Sequence, residues 1–340
     1  MKKVLIVGAG RIAGLNEFDN YRLKPCTHIG AFNNHKDFNV EGICDIDLNK
    51  ANDFASKFKL NYSFDNISLA LKKIRPDLVT IAVPYKFNYE IIQKISNDIN
   101  KPKIIFCEKP IASNIDEAKK IVEICKYHKI LLFINNRRLS SSFKLFSKIY
   151  KDEFNSEGIF FNTWCSSGLN AIGIHMIDLL RAIFGEVEWV NSFAEKKRVE
   201  KLDYSTNFHK NDPRVSSQIY FKNGITGNFM NTALINYTYF EIEVLCKSGK
   251  IRISDNGDKI EIFKLSNPTT STLSYKLNNP ETVNYSETES LFSLISKSIH
   301  QAKSDNKNHP LSGEHGLRSY IVLDAMVKSS KIGKTIYINK

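Results

Sequence analysis

The sequence predicts an α/β fold, with a doubly wound parallel sheet first and a second domain in which strands follow one another. In the first third of the chain, short apolar runs alternate with amphipathic stretches. These runs are unbroken, which is typical of parallel strands buried on both faces. After about residue 135, turn residues separate successive strands. A chain of 340 residues is long enough for two domains, which we expect at residues 1–134 and 135–340.

The elements of the first domain follow from these runs. Five runs are predicted strands: Val4–Val7, Val40–Cys44, Leu78–Val83, Ile104–Cys107 and Ile130–Ile134. Four intervening stretches have helical spacing: Leu48–Phe58, Ile67–Lys73, Tyr89–Asn97 and Ile115–His128. Strands that alternate with helices through right-handed crossovers form a doubly wound parallel sheet.

The second domain is predicted to mix helices with successive strands. Ile172–Phe184 is a predicted helix, and Asn223-Gly224 predicts a hairpin with a type I′ turn. The alternation in Phe240–Leu245 indicates a strand with one wet face, and Gly249 and Gly257 mark two further strands. The polar stretch Ser266–Ser290 predicts a long loop or a poorly ordered excursion. A final helix, Leu317–Ser329, and a strand, Thr335–Ile338, complete the chain, and we expect this helix to pack back toward the first domain.

Composition limits the function classes. The net charge of +12 is spread along the chain, so we interpret it as a Lys-rich composition, with nucleic-acid binding as the alternative. Six cysteines without a Cys-x-x-Cys pair favour neither a metal site nor a disulfide framework and indicate a reducing compartment. No apolar run approaches the roughly 20 residues of a membrane span, and Val4–Val7 is too short for a signal peptide. We therefore expect a cytoplasmic protein that contacts no membrane.

A glycine-rich segment directly follows the first strand. Gly8-Ala9-Gly10-Arg11-Ile12-Ala13 matches the G-x-G-x-x-A fingerprint of a dinucleotide-binding Rossmann domain. The first glycine permits a tight turn, and the second lets the backbone approach a pyrophosphate. The helix that follows would offer its N-terminal N–H groups to the phosphates. We therefore predict that Gly8, Gly10, Arg11 and Ile12 contact the cofactor.

An acidic residue, Asp45, ends the second predicted strand. A carboxylate there accepts hydrogen bonds from the adenosine ribose and repels a 2′-phosphate, which predicts NAD rather than NADP. Asp45 lies 35 residues after Gly10, whereas about 20–25 are usual. We interpret Leu15–Pro25 as an insertion, either a cover over cofactor or substrate or a plain surface loop.

Three further segments make the prediction more specific. Cys107-Glu108-Lys109-Pro110 follows a strand, and Gly173-Ile174-His175-Met176-Ile177-Asp178-Leu179-Leu180 opens a helix. The third segment, Leu311-Ser312-Gly313-Glu314-His315-Gly316-Leu317-Arg318, starts the last helix. With the glycine loop, these segments resemble the glucose–fructose oxidoreductase/inositol dehydrogenase/rhizopine-catabolism (Gfo/Idh/MocA) family from residue 3 to about 338. The resemblance implies a Rossmann domain followed by an α+β domain with a large open, mostly antiparallel sheet. It also implies NAD as cofactor and a homodimer or homotetramer formed through that sheet.

The resemblance also implies a chemistry. Oxidising a secondary alcohol requires a base for the hydroxyl proton while hydride leaves to nicotinamide. By resemblance, Lys109 is the catalytic lysine, followed by a cis Lys109–Pro110 bond, and His175 is its proton-transfer partner. The implied activity is an NAD(H)-dependent dehydrogenase or reductase acting on a sugar, cyclitol or nucleotide-activated sugar.

Further site residues come from the same resemblance. The cofactor is expected to contact Val83, Pro84, Asn88, Glu108 and Lys109. The substrate is expected to contact Asn136, Arg137, Asn170, His175 and Asp178. Arg137 suits an anionic substrate group, although a salt bridge at the domain junction is the alternative. Asp178 either tunes His175 or pairs with Arg181.

One departure from the family pattern concerns the implied proton chemistry. Many members carry Asp four residues before the catalytic histidine, where this chain has Ala171. The missing carboxylate leaves a second hypothesis, a catalytically inactive, NAD-binding family member that acts as a sensor or partner subunit.

Overall fold

The computed structural model describes residues 1–194, 212–232, 237–266, 275–302 and 307–338. The chain divides into two compact units, the first made of residues 1–140 and 288–320 and the second of residues 141–287 and 321–340. The division into domains at residue 134 stays a prediction. Among the described residues, no helix is long and apolar enough to span a membrane.

The first unit is built on a parallel sheet, as predicted. Its strand order is β3-β2-β1-β4-β5-β6. The strands are β1 (Lys2–Val7), β2 (Phe38–Cys44), β3 (Tyr62–Phe64), β4 (Leu78–Ile81), β5 (Ile104–Cys107) and β6 (Leu131–Ile134). The sequence analysis missed β3, because this edge strand has only three residues and none of them is buried.

The helices of the described residues belong to both units. They are α1 (His28–Asn33), α2 (Leu48–Phe58), α3 (Ile67–Ile74), α4 (Asn88–Asn97), α5 (Ile115–Tyr127), α6 (Ser141–Phe154), α7 (Ile174–Phe184), α8 (Leu291–Gln301) and α9 (Gly313–Ile332). The sequence analysis did not predict α1, α6 and α8. In the first unit, α8 packs on α1, and its Phe292, Ile295 and Ile299 join the core below the sheet.

The helix predicted directly after the glycine loop is interrupted. After a turn, the chain forms one short 3₁₀ helix (Leu15–Phe18) and leaves the helical path, and α1 begins only at His28. The His28 N–H donates to the Ile12 carbonyl at 3.1 Å, and the Ile29 N–H donates to the Ala13 carbonyl at 2.9 Å. The helix after the glycine loop is therefore built from two stretches that are distant in the sequence.

These two hydrogen bonds define the inserted segment. In an α-helix the partner of an N–H lies four residues earlier, so His28 stands where residue 16 of a continuous helix would stand. Residues 16–27 are thus an insertion of twelve residues. Without them, the 35 residues from Gly10 to Asp45 would shrink to 23, which is within the usual spacing of about 20–25.

The second unit contains a mostly antiparallel sheet, as the resemblance implied. Its strand order is β14-β13-β12-β11-β7-β10-β9-β8-β15, and only β7 and β10 pair in parallel among its described strands. The strands are β7 (Gly158–Ser166), β8 (Val187–Ala194), β9 (Val215–Phe221), β10 (Thr226–Thr232), β11 (Phe240–Cys246), β12 (Gly249–Ser254), β13 (Lys259–Lys264), β14 (Glu281–Asn284) and β15 (Ile336–Tyr337).

Two local predictions in this unit need correction. The hairpin between β9 and β10 forms, but the Gly224 N–H donates to the Phe221 carbonyl and only Gly224 of the Asn-Gly pair has a positive φ, at 94°. The turn is therefore not type I′, which needs positive φ at two residues. The stretch Ser266–Ser290, predicted as a loop, contains β14, which pairs with β13; residues 267–274 of that stretch lie outside the described residues.

The two faces of the second sheet differ. On one face, Phe184 of α7 contacts Phe161 and Phe221 at ring distances of 5.3 and 5.4 Å. The other face leaves Met230 and Phe193 exposed among partly buried aromatic side chains. The sheet thus has one face covered by α7 and a second face on which large apolar side chains are exposed.

Candidate functional site

A cavity of about 430 Å³ lies beside the glycine loop in the first unit. It is lined by Gly8, Ala9, Gly10, Arg11, Leu15, Asp45, Lys50, Asp53, Phe54, Lys57, Ala82, Val83 and Pro84. The cavity therefore brings together the predicted cofactor residues from β1, β2 and the end of β4. Ile12 contributes differently, because its side chain packs against the hydrophobic core.

Gly8 and Gly10 of the loop lack a side chain for different structural reasons. Gly8 has φ of 99°, and a Cβ there would lie 2.7 Å from the Ala82 carbonyl oxygen. A Cβ at Gly10 would meet no atom within 4 Å. Gly8 is therefore required by its own backbone, whereas Gly10 keeps open the space through which a pyrophosphate would reach the loop.

The carboxylate of Asp45 holds the glycine loop. Its Oδ2 accepts the Ala9 N–H at 2.7 Å, and its Oδ1 accepts the Asp47 N–H at 3.0 Å. Each carboxylate oxygen has two acceptor positions, so both oxygens keep one for a ribose hydroxyl. The glycine loop, the cavity and this carboxylate fit an adenosine dinucleotide.

One helical face on the cavity was missed by the sequence analysis. Lys50, Asp53, Phe54 and Lys57 of α2 all line it. Their spacing of three, four and seven residues places them on one face of the helix. That spacing was present in the sequence, but the sequence did not indicate that this helical face would line the cavity.

The loop that carries Lys109 follows β5, and the Lys109–Pro110 peptide is cis, as predicted. Asn88 lies behind this loop and is fully buried. Its Nδ2 lies 3.4, 3.3 and 3.2 Å from the carbonyl oxygens of Glu108, Pro110 and Ile111. Asn88 thus supports the loop from behind, and the cofactor contact predicted for it stays a prediction.

Glu108 lies at the centre of a buried hydrogen-bond network. Its Oε1 accepts a hydrogen bond from the His28 ring at 2.9 Å and another from Asn135 Nδ2 at 2.6 Å. Burial alone would raise the pKa of Glu108, but these hydrogen bonds outweigh it, so the pKa of the carboxyl lies below its ordinary value. The sequence analysis assigned Glu108 to the cofactor and did not single out His28.

The residues after β6 were predicted to meet the substrate. Asn136 is buried, with 1% of its surface exposed, and Arg137 is half-buried. Within the described part of the chain, the side-chain oxygen of Asn136 has no hydrogen-bond partner. Such a buried acceptor is available to a ligand donor.

In the second unit, His175 is half-buried in the first turn of α7. One turn of π-helix (Leu169–Gly173) precedes it. The carboxylate of Asp212 accepts the N–H of Asn170 at 2.8 Å and that of Ala171 at 2.9 Å. Asp212 thus caps the turn that leads to His175. No sequence signal indicated this role, because 41 residues separate Asp212 from Ala171.

Asp178 also belongs to α7 but faces inward. It is fully buried, and its Oδ1 lies 3.8 Å from Nη1 of Arg181, which also binds Glu186 at 2.7 Å. Of the two roles considered for Asp178, the structure shows the pairing with Arg181. The substrate contact implied for it stays a prediction.

Comparison with known proteins agrees with this geometry. A family model described as "Oxidoreductase family, NAD-binding Rossmann fold" matches residues 2–136, and one described as "Oxidoreductase family, C-terminal alpha/beta domain" matches residues 166–338. The chain belongs to the Gfo/Idh/MocA oxidoreductase family. The predictions of the family and of its two-part fold are confirmed.

Individual members of the Gfo/Idh/MocA family show how far the likeness extends. A D-glucoside 3-dehydrogenase of Escherichia coli is 24% identical over 57% of this chain and 58% of its own length. Levoglucosan dehydrogenase, solved with NADH and levoglucosan, has a TM-score of 0.78 at 16% identity, with 99% of both chains covered. The WlbA dehydrogenase of Bordetella pertussis, solved with NADH and UDP-GlcNAcA, has a TM-score of 0.73 at 16% identity, with 99% of both chains covered. The chain spans between 32% and 58% of the length of the curated relatives it matches.

Proposed function

We propose that the protein is an NAD(H)-dependent dehydrogenase or reductase that acts on a secondary alcohol or ketone of a sugar, cyclitol or nucleotide-activated sugar. The observation that carries the proposal is the arrangement of two loops in the first unit. It combines an open glycine loop, with Asp45 at its side, and a Glu-Lys-Pro loop at the carboxyl end of β5. Ligands bind at this end of open α/β sheets. The substrates named for the family relatives, a glucoside, levoglucosan and a UDP-sugar acid, support the substrate class.

Lys109 is proposed as the group that moves the hydroxyl proton. When bound, a nicotinamide ring supplies or accepts the hydride. Lys109 then takes the proton from the alcohol, or returns it to the ketone, through its Nζ. Asn88 behind the loop and the Glu108 carboxylate beside it hold the backbone from which the lysine extends.

His175 is proposed as the second proton-transfer or substrate-orienting group. The Asp212 carboxylate fixes the backbone of the turn before it. A negative charge at the start of a helix is also favourable for the helix dipole. Asn136, Arg137 and Asn170 are proposed substrate contacts, with Arg137 suited to an acidic sugar or a phosphate.

NAD is proposed as the preferred cofactor. Asp45 lines the cavity, and its carboxylate would repel a 2′-phosphate while accepting from a ribose diol. Lys50 and Lys57 also line the cavity, and their charges oppose this preference. The balance between the two favours NAD because Asp45 is fixed by two backbone N–H groups, whereas Lys50 has a largely exposed, flexible side chain.

A second candidate function rests on Ala171. Its place is that of the aspartate found in many family members, so the chain lacks one carboxylate beside the proposed proton chemistry. An inactive member would bind NADH tightly and turn over no sugar. The retained Lys109 and His175 favour the catalytic function.

The deciding experiment combines NADH binding with a screen of sugars, inositols, sugar acids and nucleotide sugars, followed by absorbance at 340 nm. We expect turnover, and we expect Lys109→Ala to lower kcat by about 10²–10⁴-fold. Lys109→Arg should be nearly as slow, because a guanidinium keeps its proton. Lys103→Ala, at the amino end of the same strand, is the control that should retain full activity.

Two results would contradict the proposal. Full turnover by Lys109→Ala would remove this lysine from the chemistry. Tight NADH binding without turnover of any compound in the screen would favour the inactive family member.

A further inference from the structure

The inference concerns His28, a buried polar residue to which the proposed chemistry gives no part. It is the first residue of α1 and is fully buried. Its Nδ1 is within hydrogen-bond distance of the Thr80 hydroxyl, and its Nε2 lies 2.9 Å from Glu108 Oε1. Both ring nitrogens are therefore satisfied, as the burial of a polar ring requires.

The direction of the hydrogen bond to Glu108 follows from the chemistry of its partner. An ionised carboxylate only accepts hydrogen bonds, and the hydrogen bonds from His28 and Asn135 hold the pKa of Glu108 below its ordinary value. Nε2 of His28 therefore carries the proton and donates it. Thr80 satisfies Nδ1 whether that nitrogen accepts or donates, because a hydroxyl does both.

Through Glu108, the imidazole is connected to Lys109. While Oε1 of Glu108 accepts from His28 and Asn135, Oε2 lies 3.3 Å from the backbone N–H of Lys109. Rotation of the carboxylate would break the bond to Lys109, and the two donors on Oε1 prevent that rotation.

We propose that His28 is a positioning residue for the proton-transfer step, since its Nε2–H orients the Glu108 carboxylate that holds the Lys109 backbone. This inference rests on the proposed function, in which Lys109 moves the proton. His28 belongs to the support of the site and touches neither cofactor nor substrate in this role.

Packing alone does not account for a histidine here. The ring lies 4.9 Å from Phe106 and 5.6 Å from Phe292, and an apolar side chain would make the same contacts. An apolar residue would, however, leave Glu108 and Thr80 without their partner in a buried place, which is costly. The role of His28 is therefore in its hydrogen bonds.

Two amide variants test the hydrogen bonds of the two ring nitrogens separately. In His28→Gln, the side-chain NH₂ lies near the former Nε2 and donates to Glu108. In His28→Asn, the shorter side chain reaches Thr80 and leaves Glu108. His309→Asn is a matched control, because His309 also bonds through both nitrogens, to Ser298 and to the Leu311 N–H, and neither bond reaches the Lys109 loop.

The experiment measures three quantities for each full-length variant: kcat and KM with a substrate that the wild type accepts, the Kd for NADH, and amide hydrogen exchange in the peptide around Lys109. We expect His28→Asn to lower kcat about tenfold or more, with KM and the Kd for NADH within about twofold, and to raise exchange at Lys109. His28→Gln should restore both kcat and protection. His309→Asn should change neither.

The outcomes distinguish this inference from the proposed function. Equal kcat and equal Lys109 exchange in His28→Asn and the wild type would overturn the inference, as would a His28→Gln variant that behaves like His28→Asn. Absence of turnover by the wild type would refute the proposed function, whereas hydrogen exchange at Lys109 would still decide whether His28 positions the loop.

Discussion

At the scale of single residues, two carboxylates organise the first unit by accepting hydrogen bonds from the backbone. Asp45 accepts from Ala9 and so holds the glycine loop, and Glu108 accepts from Lys109. Asp45 was predicted as a cofactor contact from its place at the end of the second strand, whereas Glu108 was predicted as one from the family resemblance. The sequence did not show their supporting role, which depends on partners brought together by the fold.

Asp45 provides a prediction at this scale. Asp45→Ser removes the negative charge that would oppose a 2′-phosphate, so we expect the ratio of NADPH affinity to NADH affinity to rise about tenfold or more. Fluorescence titration of both cofactors measures the two Kd values. Asp45→Asn serves as a control for the backbone bond to Ala9, since it keeps an acceptor oxygen but loses the charge. An unchanged affinity ratio in both variants would exclude Asp45 as the selector.

At the scale of elements, the sequence predicted the strands that consist of buried apolar runs. Val4–Val7 and Ile104–Cys107 are strands because their side chains are buried on both faces. In α6, buried Phe143, Phe146 and Tyr150 follow helical spacing, so its signal was present but was not used. The capping of the π-helical turn by Asp212 and the bond between His28 and Glu108 could not be predicted, because they join residues 41 and 80 positions apart.

The inserted segment 16–27 provides a prediction about an element. Deleting these twelve residues joins Leu15 to His28 and creates the continuous helix that the hydrogen bonds of His28 and Ile29 already imitate. We expect a folded protein whose free energy of unfolding changes by no more than about 1–2 kcal/mol, because only Asn16, Cys26 and Thr27 of the segment are buried and changes of loop length have small energetic effects. Thermal unfolding followed by circular dichroism measures this change.

A shorter deletion is the control for this prediction. Removing only residues 18–27 leaves two extra residues, which would rotate His28 by about 200° in a continuous helix. That variant should be less stable than the twelve-residue deletion. If the twelve-residue deletion fails to fold while the shorter one folds, residues 16 and 17 are required and the helical register assigned to His28 is wrong.

At the scale of the whole molecule, the second sheet carries large apolar side chains on the face opposite Phe161 and Phe221. Strand register places Met230 beside Trp164 and Trp189 beside Tyr220 on this face. These are the two tryptophans of the chain, and neither is fully buried. Exposed apolar patches of this kind mark protein–protein contacts, which agrees with the proposed homodimer or homotetramer.

The association of copies is testable through the same face. We expect light scattering to give a mass of two or four times 38.9 kDa, and tryptophan fluorescence to change on dilution. Met230→Arg should shift the mass to that of one chain, because an unpaired charge in an apolar interface is costly. Leu69→Arg, which changes an exposed leucine of α3 in the first unit, is the matched control. A wild type that scatters as a single chain at micromolar concentration would contradict this proposal.

The interrupted helix also affects how motifs are found. A search that counts residues along the chain places position 16 of the glycine-loop helix at Asn16, whereas counting along hydrogen bonds places it at His28. The structure therefore aligns His28, and not Asn16, with the fourth residue after Ile12 in an uninterrupted helix. In chains with such an insertion, a sequence pattern does not match a motif whose last residues follow the insertion. The equivalent residues are found only when helix positions are counted by their backbone hydrogen-bond partners.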